Sequence, residues 1–280
     1  MRRIAKLMKD WQFTGPDGVT AAVELPHTWN AKDGQDGGND YWRGCCTYCT
    51  RFAAPVYDPA QQQVWLQFEG VNASAAVLLN GQQLCTHDGG YSTFRAEITE
   101  LLQAENQLTV QVDNSVNDRV YPQKADFTFY GGIYRDVSLL VVNKNHIALG
   151  HFGDTGVKIT PVLKENGADI QVETLVEGEG TVTVELLDAA GISAARGEGE
   201  KTSLHLDAPH LWNGVKDPYL YTCIVRLVKD GQPVDEVTAK VGLRSFSVDA
   251  KKGFFLNGKP YPLHGVSRHQ DRKGLGNAIT

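Results

Sequence analysis

The strongest constraint on the fold is a two-residue rhythm of apolar side chains. Val64, Leu66 and Phe68 alternate with polar neighbours in "VWLQFEG", and Leu108, Val110 and Val112 do so in "NQLTVQVDN". The same spacing recurs at Val182, Val184 and Leu186 in "TVTVELL", and at Tyr221, Cys223, Val225 and Leu227 in "YTCIVRLV". In an extended chain successive side chains point to opposite faces, so this pattern buries one face and wets the other, as antiparallel sandwiches do. Asn-Gly and Asp-Gly pairs in "LNGQQ", "KENGAD", "KDGQ" and "LNGK" separate the runs, because they accept the positive φ that tight hairpins demand. An all-β fold is expected. The best helical candidate before residue 270 is the short "ITELLQAEN", with Thr99 as its cap and Leu101 and Leu102 facing inward.

At 280 residues the chain is too long for one ordinary domain. Composition shifts at "VVNKNHIALGHFGD" and "GLRSFSVDAKKGF" divide it into a jelly-roll sandwich over 1–142, an immunoglobulin-like sandwich over 143–243 and a remainder, 244–280, too short to be a domain. Lys and Arg total 27 against 33 Asp and Glu, a net charge of −6, and no dense basic run occurs. That excludes nucleic acid and anionic membrane as partners, since both need a cationic surface. The start, "MRRIAKLMKDWQF", leads into no apolar run of export-signal type, and a soluble, cytoplasmic protein is expected. Five cysteines, an odd number scattered through the chain, suit reduced thiols. The cluster "GCCTYCTRF" reads as buried strand thiols: on a strand Cys46 and Cys49 face opposite ways, and no second pair has zinc-ribbon spacing.

Six stretches, "YWRGCCTYCTRF", "FEGVNASAAVLLNG", "FYGGIYRDVSLL", "PHLWNGVKDPYLYT", "VGLRSF" and "GFFLNGKPYPLHGVSRHQD", resemble in order the segments of glycoside hydrolase family 2, most closely its β-galactosidases. The resemblance implies a jelly roll, an immunoglobulin-like domain and then a (β/α)8 barrel, of which the hairpin "GFFLNGKPYP" would be the lead-in and "LHGVSRH" the first strand. Retaining hydrolysis needs two carboxyl groups about 5–5.5 Å apart, one as acid and one as nucleophile. In the family both are glutamates on later barrel strands, whereas the last glutamate here is Glu236. No catalytic residue is therefore assigned, and the chain is expected to be an inactive N-terminal portion of a larger enzyme.

The resemblance also implies substrate-binding residues. Asp126, in "KADFTFYGGIYRDV", matches an aspartate that contacts both the sugar and a sodium ion. Asn39 and Asp40, in "GGNDYWRG", occupy a loop from which relatives place an asparagine against galactose, and His269, in "GVSRHQD", matches a substrate-contacting histidine. The remaining sodium ligands and those of a magnesium ion would lie beyond Thr280, so neither ion is expected to bind tightly to this chain. Ser267 and Gln270 replace residues that are usually Asn and often Glu in the family. Trp42 is expected in the core, Arg268 in a buried ion pair, Arg135 and Asp136 as a lock on a strand end, and Gly131 and Gly132 at a bend or close backbone approach. Trp212 and Tyr219 read as packing residues.

The expected substrate is a terminal β-galactoside, with β-glucuronidase as the sister reading within the family. A stand-alone carbohydrate-binding sandwich is the alternative from another class, and it has no use for the segment after residue 243. Homo-oligomer contacts are also compatible with the resemblance.

Overall fold

The structure, a computed structural model, describes residues 1–32, 41–122, 125, 127–150 and 153–279. Strands dominate it, and two single turns of 3₁₀ helix are its only helical elements among the described residues. The chain divides into two compact units, Arg3–Val141 with Arg268–Thr280, and Met1–Arg2 with Val142–Ser267. No helix among the described residues is long and apolar enough to cross a membrane.

In the first unit a six-stranded sheet runs in the order Thr20–Val23, Trp11–Thr14, Cys45–Ala53, Glu105–Asp113, Ser74–Leu79, Gln82–Asp88. A four-stranded sheet runs Arg3–Lys6, Val137–Asn143, Gln62–Phe68, Phe94–Glu97. The register sets Val110 opposite both Tyr48 and Val77, so alternate residues of three strands form one apolar row. Val64, Leu66 and Phe68 of the smaller sheet join the same core, all fully buried. Each such side chain stabilises the fold by roughly 1.5–3 kcal/mol. The all-β expectation from the two-residue rhythm is met.

The helical expectation is not. Only Thr99–Leu101 forms a 3₁₀ turn, and Glu105 already begins a strand. Thr99 caps nothing; its hydroxyl oxygen accepts the Val64 N–H at 2.9 Å. Leu101 and Leu102 do pack on the core. A nine-residue helix repays its nucleation cost poorly, whereas the strand pairs along both edges.

The second unit sets Val157–Lys164, Gly167–Thr174 and Lys201–Leu206 in one sheet, and Ser193–Glu198, Thr181–Leu187, Tyr221–Lys229 and Gln232–Val241 in another. Ile170, Val172, Val182, Val184, Cys223 and Val225 share their core, with Tyr219 packed against it. Asp235 is a fully buried carboxylate in this unit. It accepts Arg2 Nε at 2.8 Å, Arg2 Nη2 at 2.5 Å and the Ile147 N–H at 2.9 Å. Removing one partner of such a pair strands the other charge.

The hairpin at Gly253–Leu256 and Lys259–Pro260 forms as expected. The barrel strand does not: residues 261–271 carry no strand, and Leu263 and Val266 are exposed. A parallel barrel strand takes its hydrogen bonds and cover from neighbours, and among the described residues none pairs with this stretch. The cysteine expectation also needs correcting, since Cys46 is buried but Cys45 is exposed and Cys49 half-buried. Burial pushes the Cys46 thiol up to about 12 and that of Cys223 to about 11.

His27 is pressed between Phe13 and Tyr48, with Nδ1 2.7 Å from the Tyr48 hydroxyl. Burial lowers its pKa to about 4. The folded protein therefore keeps the ring neutral while the unfolded chain protonates it near 6.5. Its contribution, about 3 kcal/mol by linkage, is complete above pH 6.5 and disappears as pH falls toward 4. Urea midpoints across that window should drop in the native protein and stay flatter in His27→Asn. At neutral pH, Asp235→Asn and Arg2→Ala should each cost about 3–5 kcal/mol in the same assay.

Candidate functional site

The site is built on the first unit from a glycine bend. A Cβ on Gly131 would collide with the Trp29 ring, and one on Gly132, whose φ is +142°, would strike the His27 carbonyl. These glycines therefore serve the close approach expected of them. Two fully buried amides hold the bend from below. Asn30 Oδ1 accepts the Gly131 N–H at 2.8 Å, while its Nδ2 donates to Trp42 O at 2.8 Å. Asn114 accepts the Gly44 N–H at 2.9 Å and donates to Phe129 O at 3.0 Å. Asn72 Nδ2 donates to Tyr130 O at 2.6 Å.

So held, Phe127, Thr128 and Tyr130 form one wall of a cleft of about 310 Å³. The far wall is the segment Arg268–Asp271 with Asn277, and Tyr91 and Arg135 complete it. The segment is pinned at three points: Tyr130 Oη donates to Asp271 Oδ2 at 2.8 Å, Arg135 Nη1 to Asn277 O at 2.8 Å, and the Gly274 N–H to Ala31 O at 2.9 Å. Asp271 is the only carboxylate lining the cleft among the described residues.

Of the expected site residues, His269 stands in this cleft, exposed and edge-on to Phe127 at 6.2 Å. Asp126, Asn39 and Asp40 lie outside the described residues. So does the metal assignment to Asp126; among the described residues no group of three or more His, Cys, Asp and Glu could hold an ion. Arg268 lines the cleft but is exposed and joins no ion pair among the described residues, contrary to expectation. Arg135 and Asp136 do not pair with each other. Arg135 lies over the Tyr134 ring and lines the cleft, and Asp136 meets Lys6 Nζ at 2.5 Å. Both sit in the bend between the strands Gly132–Ile133 and Val137–Asn143, where each side chain takes a different partner. Trp42 is 39% exposed rather than core, its ring edge-on to Trp29. Tyr91, Tyr130 and Asp271 were not anticipated; the aromatic density of "DFTFYGGIY" was the available signal for Tyr130.

Comparison with known proteins now decides the family. The "Glycosyl hydrolase 2 galactose-binding domain-like" family matches residues 36–174, and "Glycosyl hydrolases family 2" matches residues 154–244. The chain belongs to glycoside hydrolase family 2. A β-glucuronidase of Bacteroides fragilis is 37% identical over 98% of this chain and 42% of its own length. Among solved structures, the FMN-binding β-glucuronidase of Facaelibacterium prausnitzii L2-6 superposes with a TM-score of 0.95 at 37% identity, covering 100% of this chain and 45% of that one. A β-galactosidase described as putative, from Bacteroides fragilis, gives 0.93 at 36%, covering 100% and 46%. The chain thus spans less than half the length of these family members, and both activities occur among their names.

The pinning of the far wall is open to a direct check. Tyr130→Phe should leave the sandwich intact but raise amide hydrogen exchange across residues 271–278, read by mass spectrometry.

Proposed function

We propose that this chain supplies a non-catalytic part of the substrate site of a retaining family 2 glycosidase acting on terminal β-glucuronides. One observation carries the reading: among the described residues two guanidinium groups, Arg135 and Arg268, line the cleft against one carboxylate, Asp271, which Tyr130 already engages. A planar guanidinium fork suits the carboxylate of an anionic sugar. The names of the relatives lend weight in the same direction. The reaction needs two carboxyl groups about 5–5.5 Å apart. Among the described residues the cleft has one lining carboxylate, and this reading assigns the acid and the nucleophile to other parts of the whole enzyme. In this reading His269 and Asp126 reach the sugar's hydroxyls, and the protein works in the cytoplasm.

A terminal β-galactoside is the second reading, favoured by the 36% identical β-galactosidase neighbour and by the motifs around Asp126 and His269. The pure chain should release no nitrophenol from either nitrophenyl glycoside. Saturation-transfer NMR should detect methyl β-D-glucuronide more strongly than methyl β-D-galactoside, at affinities weaker than low-millimolar, with the preference lost in Arg268→Gln. Equal signals, or a galactoside preference, would remove the glucuronide assignment.

A further inference from the structure

The second unit carries a groove of about 450 Å³ between the outermost strands of its two sheets, Val157–Lys164 and Gln232–Val241. Val157, Ile159 and Pro161 line one side and Val241 the other, with Arg244 and Phe246 completing it. Its volume falls in the usual range for small-molecule sites, roughly 300–1,000 Å³. The apolar core is left half covered here. Ile159 stands opposite Val172 on the same face, yet Val172 is fully buried and Ile159 only partly so. Phe246 is 68% exposed.

A peptide strand is a poor cover for this opening. Pro161 has no N–H to give a ladder, Lys158 and Lys164 guard the same edge strand, and Pro233 interrupts the other. A small molecule needs no ladder. The charge around the groove is one-sided: Lys240 and Arg244 line it and no Asp or Glu does among the described residues, in a chain whose net charge is −6. Lys240 Nζ donates to Thr222 Oγ1 at 2.7 Å. Arg244 lies over the Trp212 ring, 5.0 Å from its centroid, and joins no ion pair among the described residues. Stacking of that kind orients the guanidinium fork before a ligand arrives.

We propose that this groove binds a small hydrophobic carboxylate, with its tail on Val157, Ile159 and Phe246 and its head on the Arg244 guanidinium. The tail removes apolar surface from water, and the planar fork meets a carboxylate through two parallel hydrogen bonds. A neutral molecule with the same tail gains the first contribution and not the second. The inference does not depend on the sugar reading of the cleft, because every residue it uses belongs to the second unit.

The test titrates octanoate and octan-1-ol into the 280-residue chain and follows isoleucine and valine methyl groups by NMR. Octanoate should shift the methyls of Val157, Ile159 and Val241 and bind about tenfold more tightly than the alcohol. Arg244→Gln, at an exposed position, should remove that difference and leave octanol binding unchanged. Phe246→Ala should weaken both ligands. The proposal is overturned by equal binding of acid and alcohol, by a preference for octanoate that survives Arg244→Gln, by Phe246→Ala without effect, or by the absence of shifts at the three groove residues.

Discussion

The geometry of the cleft depends on two side-chain amides that never see solvent. Asn30 and Asn114 are fully buried, and between them they satisfy backbone groups at Trp42, Gly44, Phe129 and Gly131. An unpaired buried amide or carbonyl costs about 1–3 kcal/mol, so the loops carrying these groups have one arrangement in which every partner is met. The hydrophobic sandwich beneath is tolerant of detail; this polar layer is not. It converts a generic β-sandwich into a platform with a fixed upper edge.

That platform carries a cleft with a mixed set of polar and aromatic side chains. A guanidinium pair, an exposed imidazole, two tyrosines and a phenylalanine surround the cleft, with one carboxylate already engaged by a phenol. Such a set can orient a polar ligand and offers rings for stacking, and among the described residues it holds one of the two carboxyl groups that retaining hydrolysis needs. The matched relatives carry more than as much chain again as this one.

The fold was legible wherever period-two alternation met turn chemistry. Val110, Tyr48 and Val77 fall in register because each strand puts its apolar set on one side, and a one-residue slip would expose all of them. The misreadings share a cause. Thr99 reads as a cap from local pattern, and the Arg268 ion pair and the strand "LHGVSRH" from the family resemblance, yet their states turn on what lies beside them: a Val64 N–H for Thr99, open cleft for Arg268 and, among the described residues, no pairing strand for 261–271. Of the site, His269 was visible through its motif. Tyr91 and Asp271 were not, since contacts separated by about a hundred residues or more leave no mark on local spacing.

By itself, the order of residues determined an all-β chain of alternating strands, the hairpins at Asn-Gly and Asp-Gly, the need for glycine at 131 and 132, and a net charge of −6 that disfavours polyanions. Those properties follow from covalent geometry and side-chain type, which act within a few residues. Only the tertiary structure decided that Asp271 reaches Tyr130, that Arg135 turns toward Asn277 instead of Asp136, and that Phe127 meets His269 edge-on. Each of these is a pairing across space, set by which buried polar group finds a partner and which ring finds a surface once the sheets have closed.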